Sequence, residues 1–216
     1  MDYMTINFEA SCLPCHGRSF PIEVGIASAA GTRSWLIRPH ATWRDWDWTD
    51  EALAMHAITP ETLERDGLCP ARVFAELTEA VAGKRVIADS TIDSIWWNTL
   101  ADAAGSDHPS PIEHVSVLLG QFNAPSELVF EAQRKADMRS PGRHRAGDDA
   151  RWLWLVLSTI EETLHPAKRD DALWQWSVHD QMHKTPSTVA PMPALQTSRY
   201  AGDSLPVYSP QEKGNR

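Results

Sequence analysis

The sequence predicts an α/β fold, a mixed β-sheet of about five strands flanked by α-helices. Two observations carry it. Short, β-branched, alternating runs crowd the first forty or so residues, and 3.6-residue apolar periodicities dominate the chain beyond them. The resulting order, β-β-β-α-β-α-β-α, interleaves strands with helices after an initial strand cluster. A chain of 216 residues with 42% hydrophobic content can bury one sizeable core.

Residues near 4–10, 20–29 and 33–38 read as three successive strands, with Gly31-Thr32 as the hairpin turn between the last two. A polar connection rich in tryptophan comes next, with helical patches around 49–55 and 60–66. Residues 71–82 form an amphipathic helix through Val73, Phe74, Leu77 and Val81, ended by Gly83. Arg85-Val86-Ile87-Ala88 is a short buried strand. Helix resumes over 91–103, a further strand is expected at 114–118, and a basic loop bearing Gly and Pro leads to a long helix over 147–164. That helix carries an apolar stripe of Leu153, Val156, Leu157, Ile160 and Leu164. The domain is expected over 1–183, and the Pro- and Ser-rich residues 184–216 as an extended or disordered tail.

A net charge of −9 argues against a protein that coats nucleic-acid backbone non-specifically, but not against one that handles a single end. No apolar run approaches a membrane span and no basic, apolar leader is visible, so the expectation is a cytoplasmic protein with no membrane partner. Three cysteines suit a reducing compartment. Cys12-Leu13-Pro14-Cys15-His16 matches a haem-attachment pattern, yet without an export signal or a full thiolate set it reads as a loop. Ten tryptophans come mostly in groups, at 43, 46 and 48, at 96 and 97, at 152 and 154, and at 174 and 176. Such faces can stack bases, but more often they fill a core.

The chemistry lies in acids placed where acids are costly. In the first strand Asn7 and Glu9 share one face while Ile6 and Phe8 point to the core. Asp93 heads a helix and precedes Trp96, Trp97 and Leu100 by three, four and seven residues, so it faces the apolar stripe. Asp149 lies four residues before Leu153 on the inward side, and Asp148 does not. Buried carboxylates need partners or a metal. Oxygen-only donors from several elements suit hard cations such as Mg²⁺ or Mn²⁺, and two such ions can drive phosphodiester cleavage. His144, on the loop before the last helix, titrates near neutrality and is placed to take a proton from an attacking water. Arg134, Lys135, Arg139, Arg143 and Arg145 form a basic stretch that either grips phosphates or is a solvated helix face.

Taken in order, these segments resemble the DEDDh branch of the DnaQ-like 3′–5′ exonucleases over roughly residues 3 to 165. Asn7-Phe8-Glu9-Ala10-Ser11 is similar to the first motif, D-x-E followed by Thr or Ala and Ser or Thr. Phe20-Pro21-Ile22-Glu23-Val24-Gly25 resembles the second strand of that family, and Met55-His56-Ala57-Ile58-Thr59 its H-G-I-T segment with Ala57 for glycine. Ala88-Asp89-Ser90-Thr91-Ile92-Asp93 stands where H-N-x-x-F-D is common, and His144-Arg145-Ala146-Gly147-Asp148-Asp149-Ala150 matches H-x-A-x-x-D-A.

The resemblance implies an RNase H-like sheet and an exonuclease-like catalytic domain using two Mg²⁺ or Mn²⁺ ions. Glu9, Asp93 and Asp149 would be metal-site acids and His144 the general base. By analogy with the family Ala10 and Ser11 would contact the terminal sugar, while His56 and Ile58 read either as walls for the end nucleotide or as a packed loop, and Arg143 and Arg145 belong to the basic stretch that either contacts phosphates or is solvated. The expected partner is a single-stranded or 3′-overhanging DNA or RNA end, with a homodimer left open. One departure stands out. The family's first Asp, which bridges both ions, is Asn7 here, and an amide carries no charge. Asn7 is then either an engineered Asp→Asn change, which the intact remaining motifs favour, or the mark of a degenerate, non-catalytic module that binds ends or regulates a partner.

Overall fold

A computed structural model describes residues 2–106 and 109–166. One compact unit spans Met1–Ile160 and a second begins at Glu161, so the expected boundary at 183, the tail, Trp174 and Trp176 lie outside the described residues. A five-stranded sheet forms the centre, in the order β3-β2-β1-β4-β5. β1 (Tyr3–Ala10), β2 (Pro21–Ser28) and β3 (Gly31–Leu36) are antiparallel, while β4 (Arg85–Ala88) and β5 (Ile112–His114) run parallel to β1.

Around the sheet stand α1 (Asp50–His56), α2 (Pro60–Asp66), α3 (Pro70–Val81), α4 (Asp93–Ala103), α5 (Val115–Phe122), α6 (Ser126–Arg139) and α7 (Ala146–Leu164).

The two faces of β1 do different work because side chains alternate. Ile6 and Phe8 enter a core with Val24, Ile22, Val73, Leu77, Trp97 and Leu100, where α3 and α4 pack. Burying Ile6 alone is worth about 2 kcal/mol. Thr5, Asn7 and Glu9 take the opposite face, where Thr5 Oγ1 donates to the Ala150 carbonyl of α7 at 2.6 Å. That face carries the acids.

Three expectations shift. The β2–β3 turn is Ala29-Ala30, not Gly31-Thr32, since Ser28 pairs with Gly31 and Ser28 Oγ accepts from Ala30 N–H at 3.2 Å. The strand expected at 114–118 is the shorter β5, because His114 Nδ1 accepts from Ser116 N–H and starts a helix there. The stretch expected to be a basic loop holds α5, which is short, and α6, whose mixed composition hides its period.

The clustered tryptophans are mainly core. Phe20 stacks on Trp43 at 5.4 Å and meets Trp48 edge-on at 5.7 Å, and Trp97 sits 5.1 Å from Phe74. Trp43, Trp96, Trp97 and Trp152 are buried.

Candidate active site

Strand register assembles the site. Glu9 pairs with Glu23 and Asn7 with Gly25 across β1 and β2, so the two glutamates lie side by side on the face covered by α7. Like charges placed opposite each other repel, and Glu23 is neutralised. Arg145 grips both its oxygens at 2.9 and 2.8 Å, and Ala146 N–H donates to it at 3.0 Å. Glu23 is 1% exposed. It therefore ties the first residues of α7 to β2.

Gly25 completes the seat, since a Cβ there would overlap the backbone of Ala146 and Gly147.

Asp93, the first residue of α4, is 2% exposed, and its Oδ1 accepts from Phe8 N–H at 2.9 Å. β4 pairs with β1 only from Tyr3 to Thr5, so Asp93 satisfies a β1 donor that the short strand leaves over. Its carboxyl is held well above the ordinary range by burial and by Asp89. Asp149 Oδ2 accepts from His144 N–H at 2.9 Å, and Arg143 Nε lies 2.5 Å from Asp149 Oδ1. Burial raises the Asp149 carboxyl while Arg143 opposes the rise. The Arg143 guanidinium rests 4.6 Å over the Trp152 ring, whose Nε1 donates to Asp137.

Glu9 is the unsatisfied member. It is 8% exposed, and among the described residues it has neither hydrogen bond nor ion pair. Burial first, then the charges of Asp149, Glu23 and Asp93, push its carboxyl up to about 9. A carboxyl without a hydrogen bond among other acids is the chemistry that a hard cation satisfies. The donor set fits Mg²⁺ or Mn²⁺ in kind. Among the described residues, though, no group of three or more His, Cys, Asp or Glu side chains is placed to hold a metal ion. Arg143 is the cation in contact with Asp149 instead.

The Glu9 shift has a sign that can be checked. With a folded value near 9 against 4.5 ordinarily, the folded protein keeps a proton that the unfolded chain releases. Stability should fall as pH rises through that window. In chelator, the melting temperature should drop between about pH 5 and pH 8, and Mg²⁺ should restore more of it at the higher pH. A flat profile would show that the acids are not crowded.

The remaining sequence-predicted residues divide. Asn7 is half-buried beside Glu9 and its Nδ2 donates to Phe8 O at 3.3 Å. His144 precedes α7 at φ 63°, a left-handed conformation that costs a non-glycine residue about 1 kcal/mol or more. His56 and Ile58 are buried, and His56 Nδ1 accepts from Ile58 N–H. Burial lowers the His56 value, opposed by the Ala10 main chain and Glu23.

Ser11 is packed inside the fold. It is 0% exposed, its hydroxyl accepts from Phe20 N–H at 3.2 Å and its backbone bonds Phe20 and Thr49. Ala10 ends β1, where the register shifts. Arg145 is committed to Glu23, and Arg134 and Lys135 pair with Glu131 on their own helix. Cys12 is buried, Cys15 and Cys69 are exposed, and all three are free.

Two acids of the site are absent from the set that the sequence predicts. Glu23 interrupts an otherwise apolar run in β2, the same cost signal that singles out Asp149. Asp89 stands just past β4, and burial and the Asp149 charge raise its carboxyl.

No protein-family model and no curated protein sequence matches the chain. Solved structures do. The zinc-ion form of the E. coli exonuclease I–single-stranded DNA complex superposes with a TM-score of 0.53 at 12% identity, over 80% of this chain and 42% of that one. E. coli exonuclease I in complex with a dA16 oligonucleotide gives 0.58 at 11% identity, over 79% and 42%. A full-length 3′-exonuclease gives 0.55 at 17% identity, over 75% and 61%. The fold is RNase H-like. This chain thus spans between 42% and 61% of the length of those structures. Among its described residues no helix is long and apolar enough to cross a membrane.

Proposed function

We propose that the chain is a metal-dependent 3′–5′ exonuclease domain acting on single-stranded or 3′-overhanging DNA or RNA ends, weakened by Asn7. The observation that carries this is Glu9, a buried carboxyl without a partner set among Asp149, Asp93 and Glu23. Solved structures with this fold include an exonuclease bound to single-stranded DNA, which supports the choice of substrate.

Glu9, Asp93 and Asp149, with the Asn7 amide oxygen, would hold the Mg²⁺ or Mn²⁺. Two such ions, when bound, supply activation of water and stabilisation of the leaving oxygen. The rest falls to the chain. Glu23 and Arg145 fix the start of α7, which carries Asp149. The His144 imidazole accepts the proton of the attacking water. Arg143, half-exposed beside Asp149, is placed to take a phosphate oxygen. Ala10 and the His56–Ile58 segment form the wall for the last nucleotide, with Ser11 behind it.

His144→Ala tests the base. In the Asn7→Asp background it should lower cleavage of a 3′-labelled strand by about a hundredfold or more while Mn²⁺ and end binding stay intact. An unchanged rate in the variant removes His144 from the mechanism.

A second reading is favoured by one contact. Arg143 on Asp149, with Asn7 uncharged, suits a non-catalytic module that holds a nucleic-acid end without metal. Tight end binding in chelator, with no cleavage by either the native chain or Asn7→Asp, would select it.

A further inference from the structure

We propose that the outward stripe of α6 carries the single strand upstream of its 3′ end, with a base stacked on Phe130 and phosphates held by Arg134 and Arg139. The inference rests on the exonuclease reading of the site and adds to it a surface for the rest of the substrate. α6 docks on the domain through small residues, since Ala132, Ala136 and the following Ser140 are buried. On the opposite side Phe130, Arg134 and Met138 recur at a spacing of four, one above the other, and together cover about 12 Å of helix. Phe130 is 69% exposed and Met138 66%, the two most exposed large apolar side chains among the described residues. Leaving both in water forgoes apolar burial that a bound partner would recover.

Charge and position identify the partner. The chain has a net charge of −9, yet from Arg134 to Arg145 five cations stand against Asp137 alone among acids. Within α6 the acids Glu127 and Glu131 lie in the first half, and Arg134, Lys135 and Arg139 in the second, towards the site. Arg134 and Lys135 reach back to Glu131 at 3.2 and 3.4 Å. Such exposed pairs are worth about 1 kcal/mol or less, so a phosphate can replace the carboxylate at little cost. Arg139 has no ion pair among the described residues. Cations spaced along a stripe that also bears an aromatic ring suit a phosphate backbone with a base laid on the ring. The stripe also leads to the acids. Trp152 Nε1 of α7 donates to Asp137 at 2.9 Å, and the Arg143 guanidinium covers the Trp152 ring and reaches Asp149. A strand whose 3′ end is held at Asp149 thus passes Arg143 and runs back along α6 from Met138 to Phe130.

The test is fluorescence anisotropy in chelator with two 5′-fluorescein oligodeoxyadenylates, one of about twelve nucleotides and one of about three, so that only the longer can cover α6. The native chain should bind the longer strand at least about tenfold more tightly. Phe130→Ala/Arg139→Gln should lose about tenfold on the longer strand and nothing on the shorter, whereas Phe130→Trp should keep both affinities. Arg134→Gln/Arg139→Gln should also flatten the salt dependence of long-strand binding, by a log–log slope of roughly 1.4 for two phosphate contacts. These side chains are exposed, and an unchanged melting temperature checks that the variants fold. Native-like binding of the longer strand by Phe130→Ala/Arg139→Gln overturns the proposal and leaves the exonuclease reading standing. So does a native dimer that this variant dissociates, because the stripe then joins two copies of the chain. A native chain that binds neither strand also overturns it, and if Asn7→Asp shortens no 3′ end the exonuclease reading falls as well.

Discussion

Asn7→Asp should raise 3′–5′ exonuclease activity by at least about a hundredfold, a barrier change of roughly 3 kcal/mol. The side chain stands beside Glu9 on β1 and opposite Gly25 on β2, where no bulk from β2 competes with it. Asn and Asp have nearly the same shape, so the change alters charge and little else. At present the amide donates to Phe8 O, a local bond whose loss costs about 1 kcal/mol or less. A carboxylate there would add a negative charge between Glu9 and the end of β4. It would draw in a cation strongly enough to displace Arg143 from Asp149. Metal-free protein should have a lower melting temperature as a result, since Glu9 is already crowded up to about 9. The assay is release of mononucleotides from 3′-labelled DNA and RNA strands in Mg²⁺ and in Mn²⁺. If Asn7→Asp stays inert on every strand with both ions, the weakened-exonuclease reading fails and the end-binding module replaces it.

How much of the fold and site is legible in the sequence depends on what each residue type costs. Period and composition reveal β1, β2, β4 and the helices over 70–81, 93–103 and 146–164, because an apolar stripe leaves a repeating mark. The same logic finds Asp93 and Asp149, since a carboxylate on such a stripe is expensive. It passes over Glu23 because strand alternation shows which side a residue faces, not that the facing surface is the start of a distant helix. The Arg145–Glu23 clamp joins residues 122 apart, and only strand register and helix docking bring them together. Asp89 escapes for a related reason. It lies one residue past a four-residue strand, where no period remains to say which way a side chain turns. The α5–α6 pair resembles a loop in sequence because α6 is weakly apolar and leaves Phe130 and Met138 exposed, which blurs the stripe. Arg143 is visible as a basic residue, but its seat between Asp149 and Trp152 depends on the backbone turn that places His144 at φ 63°.

Gly25→Ala should be the most damaging single-methyl change in the domain. Gly25 lies in extended backbone of β2, with Asn7 on one side and Ser34 on the other. Its missing Cβ is the space through which α7 approaches the sheet, and a methyl would press on the backbone of Ala146 and Gly147. Backbone cannot rotate away as a side chain can, so either the strand bends or α7 lifts. Lifting α7 would strain three contacts together, the Arg145–Glu23 pair, the Ala146 N–H bond to Glu23 and the Thr5–Ala150 bond. The expected loss is about 3–5 kcal/mol, at the upper end for a point change. For a domain of this size that lowers the melting temperature by roughly 10 °C. Gly120→Ala is the control. That glycine lies inside α5 with open space around its Cβ position, so alanine should stabilise the helix by about 0.5–1 kcal/mol. Protein that survives as Gly25→Ala should also bind Mn²⁺ more weakly, because Asp149 and His144 ride on the start of α7. Equal melting temperatures for Gly25→Ala and the native chain would mean that α7 is not seated on β2 in this way, and the geometry of the acid cluster would have to be redrawn.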